Sequence, residues 1–234
     1  VQIDARPKAL DVSGWLGLRQ FLTSGGFSRV YDLQTSDRSS GYLKLFWPGR
    51  KPEWSGIARG CSHPHRNPDR DRMHTIERQA EQLRDAGITE VPPPGYDGPC
   101  GGVADFRLPE RFALFAPGGA AHRPAKRWPA ASYAALARKL SDQGITPLLL
   151  GGEDERALHA RITDAGDAVS LCGRTDFFNI MALARRAEVA VGNDTGPMHL
   201  VAVTGCPSVV LFSSESDPAL CAPRGETVEV LREN

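Results

Sequence analysis

The stretch from Val189 to Leu200 contains the residues of this sequence that are best suited to chemistry. It opens with three apolar residues that predict a buried strand, and a glycine with two short polar residues follows them and marks a turn. The segment 198–203 predicts a helix, and Pro197 suits its first turn because the missing N–H would have no partner there. Either Asp194 or Thr195 is expected to cap this helix.

A strand that leads straight into a helix places free backbone N–H groups beside the strand's carboxyl end. The partial positive charge at that point predicts an anion site suited to a phosphate or diphosphate. His199 lies about one helical turn beyond Thr195, so it is expected to face the same pocket. The alternative is an ordinary strand-to-helix turn with a capping aspartate.

Three other predicted strands end in turns that would meet at the same edge of a sheet: Pro117-Gly118-Gly119, Gly151-Gly152-Glu153 and Gly173-Arg174. Glycine at such positions allows close approach of the backbone to a ligand. Glu153 or Glu155 is suited to accept hydrogen bonds from ribose hydroxyls. Equally, acidic residues are favourable at a helix start when no ligand is present.

Lys126 follows the first of these turns and lies just before Trp128-Pro129. A lysine there can neutralise a phosphate as a mobile point charge, or it can simply be solvated. A cation at the amino end of a helix costs about 0.3–1 kcal/mol. Lys126 and Arg127 together therefore indicate an anion nearby.

Other chemical signatures are absent or weak. The sequence contains no G-x-G-x-x-G fingerprint, no phosphate-binding P-loop and no G-x-S-x-G elbow. Cys61, His63, His65 and His74 are residue types that bind zinc, but their spacing is not a standard one, so no metal is expected. Cys61, His63 and His65 lie in an Arg-rich segment, 59–72, which we expect to be a polar loop or to contact an anionic acceptor.

Composition narrows the class of protein. The chain has 234 residues, 41% hydrophobic and 24% charged, with a formal net charge of zero, which is typical of a soluble globular protein and not of a nucleic-acid-binding one. Its five cysteines are scattered and odd in number, which favours reduced thiols and a cytoplasmic location over a disulfide framework. No apolar run of membrane-spanning length and no signal peptide is found.

Hydrophobic periodicity predicts alternating strands and helices. The strands are predicted at 1–4, 29–33, 53–57, 112–116, 145–150, 169–171, 189–191, 208–212 and 228–231. The helices are predicted at 12–22, 36–46, 72–85, 129–140, 153–162, 176–186 and 197–203, with 60–71 as loop. This alternation predicts a parallel sheet covered on both faces, with ligands beyond the carboxyl ends of its strands.

The residues rich in proline and glycine between 88 and 110 predict a linker between two βα-rich halves. We divide the chain into residues 1–107 and residues 108–234. Because it opens within an apparent strand at Val1 and stops after another, we expect material to be missing at both ends.

Five motifs in order resemble the ADP-heptose:lipopolysaccharide heptosyltransferases of glycosyltransferase family 9. They are Pro117-Gly118-Gly119, Pro124–Pro129, Leu171-x-Gly173-Arg174-Thr175, Gly192–Leu200, and Leu211-Phe212-Ser213 with Asp217-Pro218. Together they make residues 112–223 the specific part of the resemblance, while the first half matches loosely.

The resemblance implies an α/β fold of the GT-B type, with two Rossmann-like domains facing a cleft and the first lacking its amino-terminal strand and loop. Residues 1–107 would be a partial acceptor-binding domain, and residues 108–234 would bind the nucleotide sugar. The implied reaction transfers heptose from ADP-heptose to a lipid A–Kdo-type acceptor of the lipopolysaccharide inner core. It would invert the anomeric centre without metal or cofactor, in the cytoplasm, with peripheral contact at the inner membrane allowed by the lipid acceptor.

Residue roles follow from the same resemblance. Lys126 would contact the phosphates and the sugar, and Asp194 would bind heptose hydroxyls. The remaining positions would bind the substrate: Gly118, Gly119 and Ala121 in the first loop, Glu153 or Glu155 at the ribose, Leu171 to Gly173 at the adenine, and Thr195, Gly196 and His199 at the diphosphate. Where relatives often carry Ser or Thr, Ala121 lacks the hydroxyl.

One departure concerns the general base. Family members open with a strand and a Gly-Asp loop whose aspartate is thought to be the base, and this sequence has no counterpart. Two alternatives therefore stay open: a non-catalytic nucleotide-sugar-binding module of the same fold, or a nucleotide-sugar epimerase.

Overall fold

The computed structural model describes residues 6–232. The chain divides into two compact units, one up to Pro92 and the other from Pro93 onward, and each is described by itself. The division falls inside the predicted linker at 88–110. The strand predicted at 1–4 lies outside the described residues, and the assignment of functions to 1–107 and 108–234 stays a prediction.

The first unit contains a parallel sheet in the order β1-β2-β3. Its strands are β1 (Arg29–Tyr31), β2 (Glu53–Gly56) and β3 (His63–Pro64), and its helices are α1 (Val12–Ser24), α2 (Asp37–Gly41) and α3 (Thr75–Asp85). Asp11 caps α1 by accepting a 2.8 Å hydrogen bond from the Gly14 nitrogen. A small core forms around Leu22, Phe46 and Trp54.

The prediction of a loop over 60–71 was wrong in two places. His63 pairs with Ser55 in a two-residue strand, which is too short to leave a periodic pattern in the sequence. A 3₁₀ turn at Arg70–Arg72 overlaps the first residue of the third predicted helix. The helix α3 begins only after His74, whose Nδ1 accepts a hydrogen bond from the Ile76 nitrogen. Gly87, with φ +89°, follows the helix as predicted.

The second unit contains a six-stranded sheet in which every pair of neighbouring strands is parallel, in the order β6-β5-β4-β7-β8-β9. Its strands are β4 (Phe112–Ala116), β5 (Thr146–Leu149), β6 (Val169–Ser170), β7 (Val189–Asn193), β8 (Ser208–Phe212) and β9 (Val228–Arg232). Counted along this unit, the order is 3-2-1-4-5-6, the doubly wound arrangement of nucleotide-binding folds. The predicted α/β class with parallel sheets is confirmed.

Helices cover both faces of this sheet and close two apolar cores. They are α4 (Ala130–Ser141), α5 (Arg156–Thr163), α6 (Phe177–Ala184), α7 (Gly196–Ala202) and α8 (Pro218–Cys221). Leu114 and Leu148 point into the core that includes Leu183 and Met198, while Phe115 and Leu149 point into the core around Tyr133. This alternation along each strand is why the strands are apolar throughout.

A seam forms where the strand order reverses, between β4 and β7. Leu114 pairs with Ala190 in the middle of this seam. At the amino ends of the two strands, Arg111 makes a bidentate ion pair with Glu188, with distances of 2.6 and 3.0 Å. The crevice of such a sheet opens at the opposite, carboxyl end of the same two strands.

Residues 93–106, at the start of the second unit, pack on the rest of that unit. The Tyr96 nitrogen donates a 3.0 Å hydrogen bond to the Val203 carbonyl, and Arg185 donates to the Tyr96 carbonyl at 2.8 Å. Val103 and Phe106 lie against the apolar core. This part of the predicted linker is therefore held in place by backbone and side-chain hydrogen bonds and by apolar contacts. No helix within residues 6–232 is long and apolar enough to cross a membrane.

Candidate functional site

A cavity of about 360 Å³ opens at the carboxyl ends of β4 and β7. Seven of the predicted site residues line it: Gly118, Gly119, Lys126, Glu155, Asp194, Thr195 and Gly196. They come from three different strand ends that the doubly wound topology brings together. The space beside Thr195, where the sequence predicts an anion site, is thus open and is not filled by packed side chains.

Lys126 and Asp194 form an ion pair inside this cavity. The distance from Lys126 Nζ to Asp194 Oδ2 is 2.5 Å, and the two side chains are only 14% and 9% exposed. A pair so well shielded from water is stronger than a surface pair, but each charge has also lost its hydration. The two groups that could meet a charged ligand therefore neutralise each other in the ligand-free protein.

Cys221 lies next to this pair, with its Sγ 3.9 Å from Asp194 Oδ2. Burial, and then the negative charge of Asp194, raises the pKa of the Cys221 thiol. The thiol is therefore held in its neutral form beside the ion pair.

The predicted side-chain cap of α7 is wrong. Thr195 occupies the N-cap position, yet no side-chain hydrogen bond caps the helix among the described residues. The Asp194 carboxylate is bound to Lys126 instead, and Thr195 Oγ1 is buried without a partner within residues 6–232. Because α7 has only seven residues, its amino end does not by itself identify an anion site.

Asn193 organises the crevice, a role that the sequence did not assign to it. It is the last residue of β7 and has no exposed surface. Its Nδ2 donates to the carbonyls of Pro117 and Gly118 at 2.8 and 3.0 Å, and its Oδ1 accepts from the Trp128 nitrogen at 3.0 Å. A polar amide at the end of an otherwise apolar strand is the signal that could have indicated this role.

Gly192, just before it, is required by close packing. A Cβ atom at this position would lie 2.5 Å from Met198 Sδ and 2.7 Å from the Cβ of Ala116. The glycine therefore lets α7 pack directly on the seam and brings Thr195 to the cavity.

Glu155 and Glu153 have different surroundings. The carboxylate of Glu155 lines the cavity and accepts hydrogen bonds from the backbone nitrogens of Gly119 at 2.9 Å and Gly152 at 3.2 Å. Glu153 is exposed, pairs with Arg156, and lies so close to Gly173 that a side chain there would collide with it. Gly173 has a φ of +67°, which also favours glycine.

Three predicted site residues, like Glu153 and Gly173, are not among the residues lining the cavity. Leu171 is 1% exposed and packs in the apolar core, and its N–H and carbonyl are hydrogen-bonded to the backbone of Leu149 and Arg174. Ala121 is exposed, one residue beyond the lining position Ala120. His199 is partly buried on α7, three residues after Gly196. The binding roles of all the candidate residues stay predictions.

His159 of α5 lies behind the cavity, and sequence patterns did not predict a polar group there. It is 1% exposed, and its Nδ1 is 2.8 Å from Ser170 Oγ. Burial lowers the pKa of His159, so the imidazole is held neutral. A Cβ atom at Gly151 would lie 2.5 Å from His159 Nε2, which explains the glycine at that strand end.

A second cavity, of about 680 Å³, lies in the first unit and includes Phe27, Arg50 and Lys51 in its lining. Ser28 and Glu53 place it at the amino ends of β1 and β2. Ligands of parallel sheets bind at the other end, so this cavity has a weaker claim to be the site.

The four residues considered for zinc do not form a metal cluster among the described residues. His65 instead lies near Glu81 and Asp85, with ligand atoms within 4.8 Å of one another. His65 Nε2 is already 2.9 Å from Glu81 Oε1, and Asn67 donates to the same oxygen at 2.8 Å. That carboxylate is therefore satisfied by hydrogen bonds.

Comparison with known proteins decides the family. The model of glycosyltransferase family 9 (heptosyltransferase) matches residues 15–234. The chain belongs to glycosyltransferase family 9. This is the same family whose motifs the sequence resembles around Lys126 and Asp194.

One similar relative is the lipooligosaccharide heptosyltransferase 2 of Haemophilus influenzae, 32% identical over 120 residues. That match covers 49% of this family 9 chain and 34% of the relative, so it spans about a third of the relative's length. The lipopolysaccharide heptosyltransferase 2 of Escherichia coli K12 matches with the same identity and coverage.

Among solved structures, a family 9 glycosyltransferase from Veillonella parvula superposes with a TM-score of 0.78. It is 22% identical, and the match covers 100% of this chain and 70% of that one. The structure of Escherichia coli ADP-heptose lps heptosyltransferase II gives a TM-score of 0.73 at 23% identity, covering 94% and 72% of the two chains. At these identities the likeness establishes the fold.

Proposed function

We propose that this family 9 protein is a heptosyltransferase that takes heptose from ADP-heptose and transfers it to the inner core of lipopolysaccharide. The observation that carries the proposal is the ion pair of Lys126 and Asp194 in the cavity at the strand reversal. Family membership and the ADP-heptose named for the Escherichia coli structure supply the donor.

Breaking the bond between heptose and ADP leaves negative charge on the diphosphate. Lys126 is the cation in the cavity lining, and we assign to it the stabilisation of that charge as it develops. Backbone N–H groups at Thr195 and Gly196 would add neutral donors without another charge. This assignment needs no metal ion, and we include metal independence in the proposal.

Donor binding would rearrange the ion pair. A diphosphate attracts the Lys126 ammonium, and the Asp194 carboxylate then becomes an acceptor for hydroxyl groups of the heptose. Because the pair starts neutral, the cavity is not committed to an anion before the ligand arrives. The sugar hydroxyls would thus occupy the carboxylate that the cation releases.

The acceptor hydroxyl attacks the anomeric carbon as ADP leaves, which inverts the configuration, and its proton passes to a base. We assign no residue to that last step, since Asp194 is proposed to bind heptose hydroxyls and Glu155 is bound to backbone N–H groups. The acceptor is proposed to be of the lipid A–Kdo type, consistent with the lipopolysaccharide named for the relatives.

The proposal is tested by titrating the protein with ADP and UDP in a calorimeter and by measuring transfer from ADP-heptose. ADP should bind and UDP should not. Lys126→Ala and Asp194→Ala should each lower transfer at least about tenfold, equal to about 1.4 kcal/mol of barrier. Preference for UDP, or wild-type transfer rates in both variants, would reject it.

A further inference from the structure

The backbone of Gly119 is held at both its N–H and its carbonyl by charged side chains. Its N–H donates to Glu155 Oε1 at 2.9 Å, and its carbonyl accepts from Arg127 Nη2 at 2.5 Å. Glu155 ends the 3₁₀ turn after β5, whereas Arg127 follows the 3₁₀ turn after β4. One residue of the cavity wall is therefore fixed by two elements that are distant in sequence.

The same carboxylate joins two strand-end loops. Glu155 Oε2 accepts from the Gly152 nitrogen at 3.2 Å, while Oε1 is bound to Gly119. A Cβ atom at Gly151 would lie 2.6 Å from Glu155 Oε2, and one at Gly118 would overlap Oε1. The glycines of both loops thus leave room for this carboxylate, which accounts for their position at the strand ends.

Charge balance explains why Arg127 accompanies it. The charged groups of the cavity lining are Lys126, Glu155 and Asp194, which leaves one net negative charge facing an anionic ligand. The Arg127 guanidinium, bound to the carbonyl of the residue whose N–H binds Glu155, offsets that charge. Its side chain also approaches Gly119 closely, within 3.7 Å of where a Cβ atom would be.

We propose that Glu155 and Arg127 are positioning residues that together hold the backbone on either side of the Gly119 Cα in the shape that binds the diphosphate of the nucleotide sugar. This inference rests on the proposed function for the identity of the ligand. Glu155 is then occupied by the loop and does not bind the ribose. Neither side chain takes part in bond breaking.

Two variants and two matched controls test the pair. Glu155→Gln keeps one carbonyl oxygen but turns an N–H₂ group toward a backbone N–H, and Arg127→Met keeps the packing without a donor. Asp154→Asn and Arg123→Met remove the same charges from exposed residues on the same two loops. Arg127→Lys restores one donor and should recover part of the loss.

Amide exchange at Gly119, measured by NMR on the ligand-free protein, should be at least about tenfold faster in Glu155→Gln and unchanged in Asp154→Asn. ADP titrations should give a dissociation constant about tenfold higher for Glu155→Gln and Arg127→Met, which is about 1.4 kcal/mol. Both controls should bind like wild type.

Unchanged exchange at Gly119 would overturn the inference, and so would wild-type ADP affinity in both variants. Failure of the proposed function would look different. The wild-type protein would then bind no ADP, while the exchange difference between Glu155→Gln and Asp154→Asn would persist and support the positioning of the loop.

Discussion

Tyr133 donates a 3.1 Å hydrogen bond to Oδ1 of Asn193, and neither residue has exposed surface. Burial raises the pKa of the Tyr133 phenol well above its usual range, so the group stays a neutral donor. With its two carbonyl partners and the Trp128 nitrogen, the Asn193 amide has four hydrogen bonds and is fully satisfied. An aspartate could not make the two that Asn193 donates.

Asn193→Asp should therefore destabilise the second unit although the shape is unchanged. The carboxylate would face two backbone carbonyls in a buried site, and we expect the free energy of unfolding to fall by about 2–4 kcal/mol. Tyr133→Phe, which removes one bond, should cost about 1 kcal/mol. Urea unfolding measures both, and an Asn193→Asp protein as stable as Tyr133→Phe would contradict the role given to the amide.

Asp194→Asn should separate the two halves of the ion pair. Since it removes the charge that neutralises Lys126, ADP without a sugar should bind about threefold to tenfold more tightly at low ionic strength. Lys126→Met should bind ADP about tenfold more weakly. Calorimetry at two salt concentrations checks this, and equal affinities in the two variants would show that Lys126 does not meet the diphosphate.

Gly192→Ala should lower stability because the new methyl group would meet Met198 and Ala116. Overpacking of this kind costs about 1–3 kcal/mol, and Met198 can yield more easily than Ala116. The matched control is Gly17→Ala, since a Cβ atom at this exposed position in α1 meets nothing within 4 Å. Thermal unfolding should show a loss for the first variant and a slight gain for the second.

His159 should make stability depend on pH. Burial places its folded-state pKa below the ordinary value of 6.5, so the unfolded chain binds the proton more readily. The stability that His159 contributes is complete above pH 6.5 and is lost as the pH falls below it. Chemical unfolding of wild type and His159→Gln should be measured from about pH 8 to about pH 5, and the free energy of unfolding should fall less steeply with decreasing pH in the variant. Parallel curves would mean that the imidazole titrates alike in both states.

The strands of the second unit were predictable because each is a short apolar run between turn residues. β4 and β8 have the predicted bounds, at Phe112–Ala116 and Ser208–Phe212. Residues that follow strands directly, such as Gly118 and Thr195, do meet at one cavity, since parallel topology alone brings strand ends together.

What the sequence could not show depends on partners far apart in the chain. The Asp194 carboxylate had a local use as a helix cap, but it binds Lys126, 68 residues away. The bonds from Asn193 to the loop after β4, and from Glu155 to Gly119, are likewise tertiary. Local sequence patterns do not show whether a side chain will bind a partner nearby in the chain or a distant one.

The central seam is fastened at each extremity, by Arg111 with Glu188 at one end and by the Asn193 amide at the other. A ligand that enters the crevice would therefore meet two strands, β4 and β7, that are held together at both ends and do not separate. Adjustment to a ligand would then fall to the ammonium of Lys126, because the Gly119 loop is itself held by Glu155 and Arg127. Recognition in this protein would then be a matter of small local movements above a rigid base.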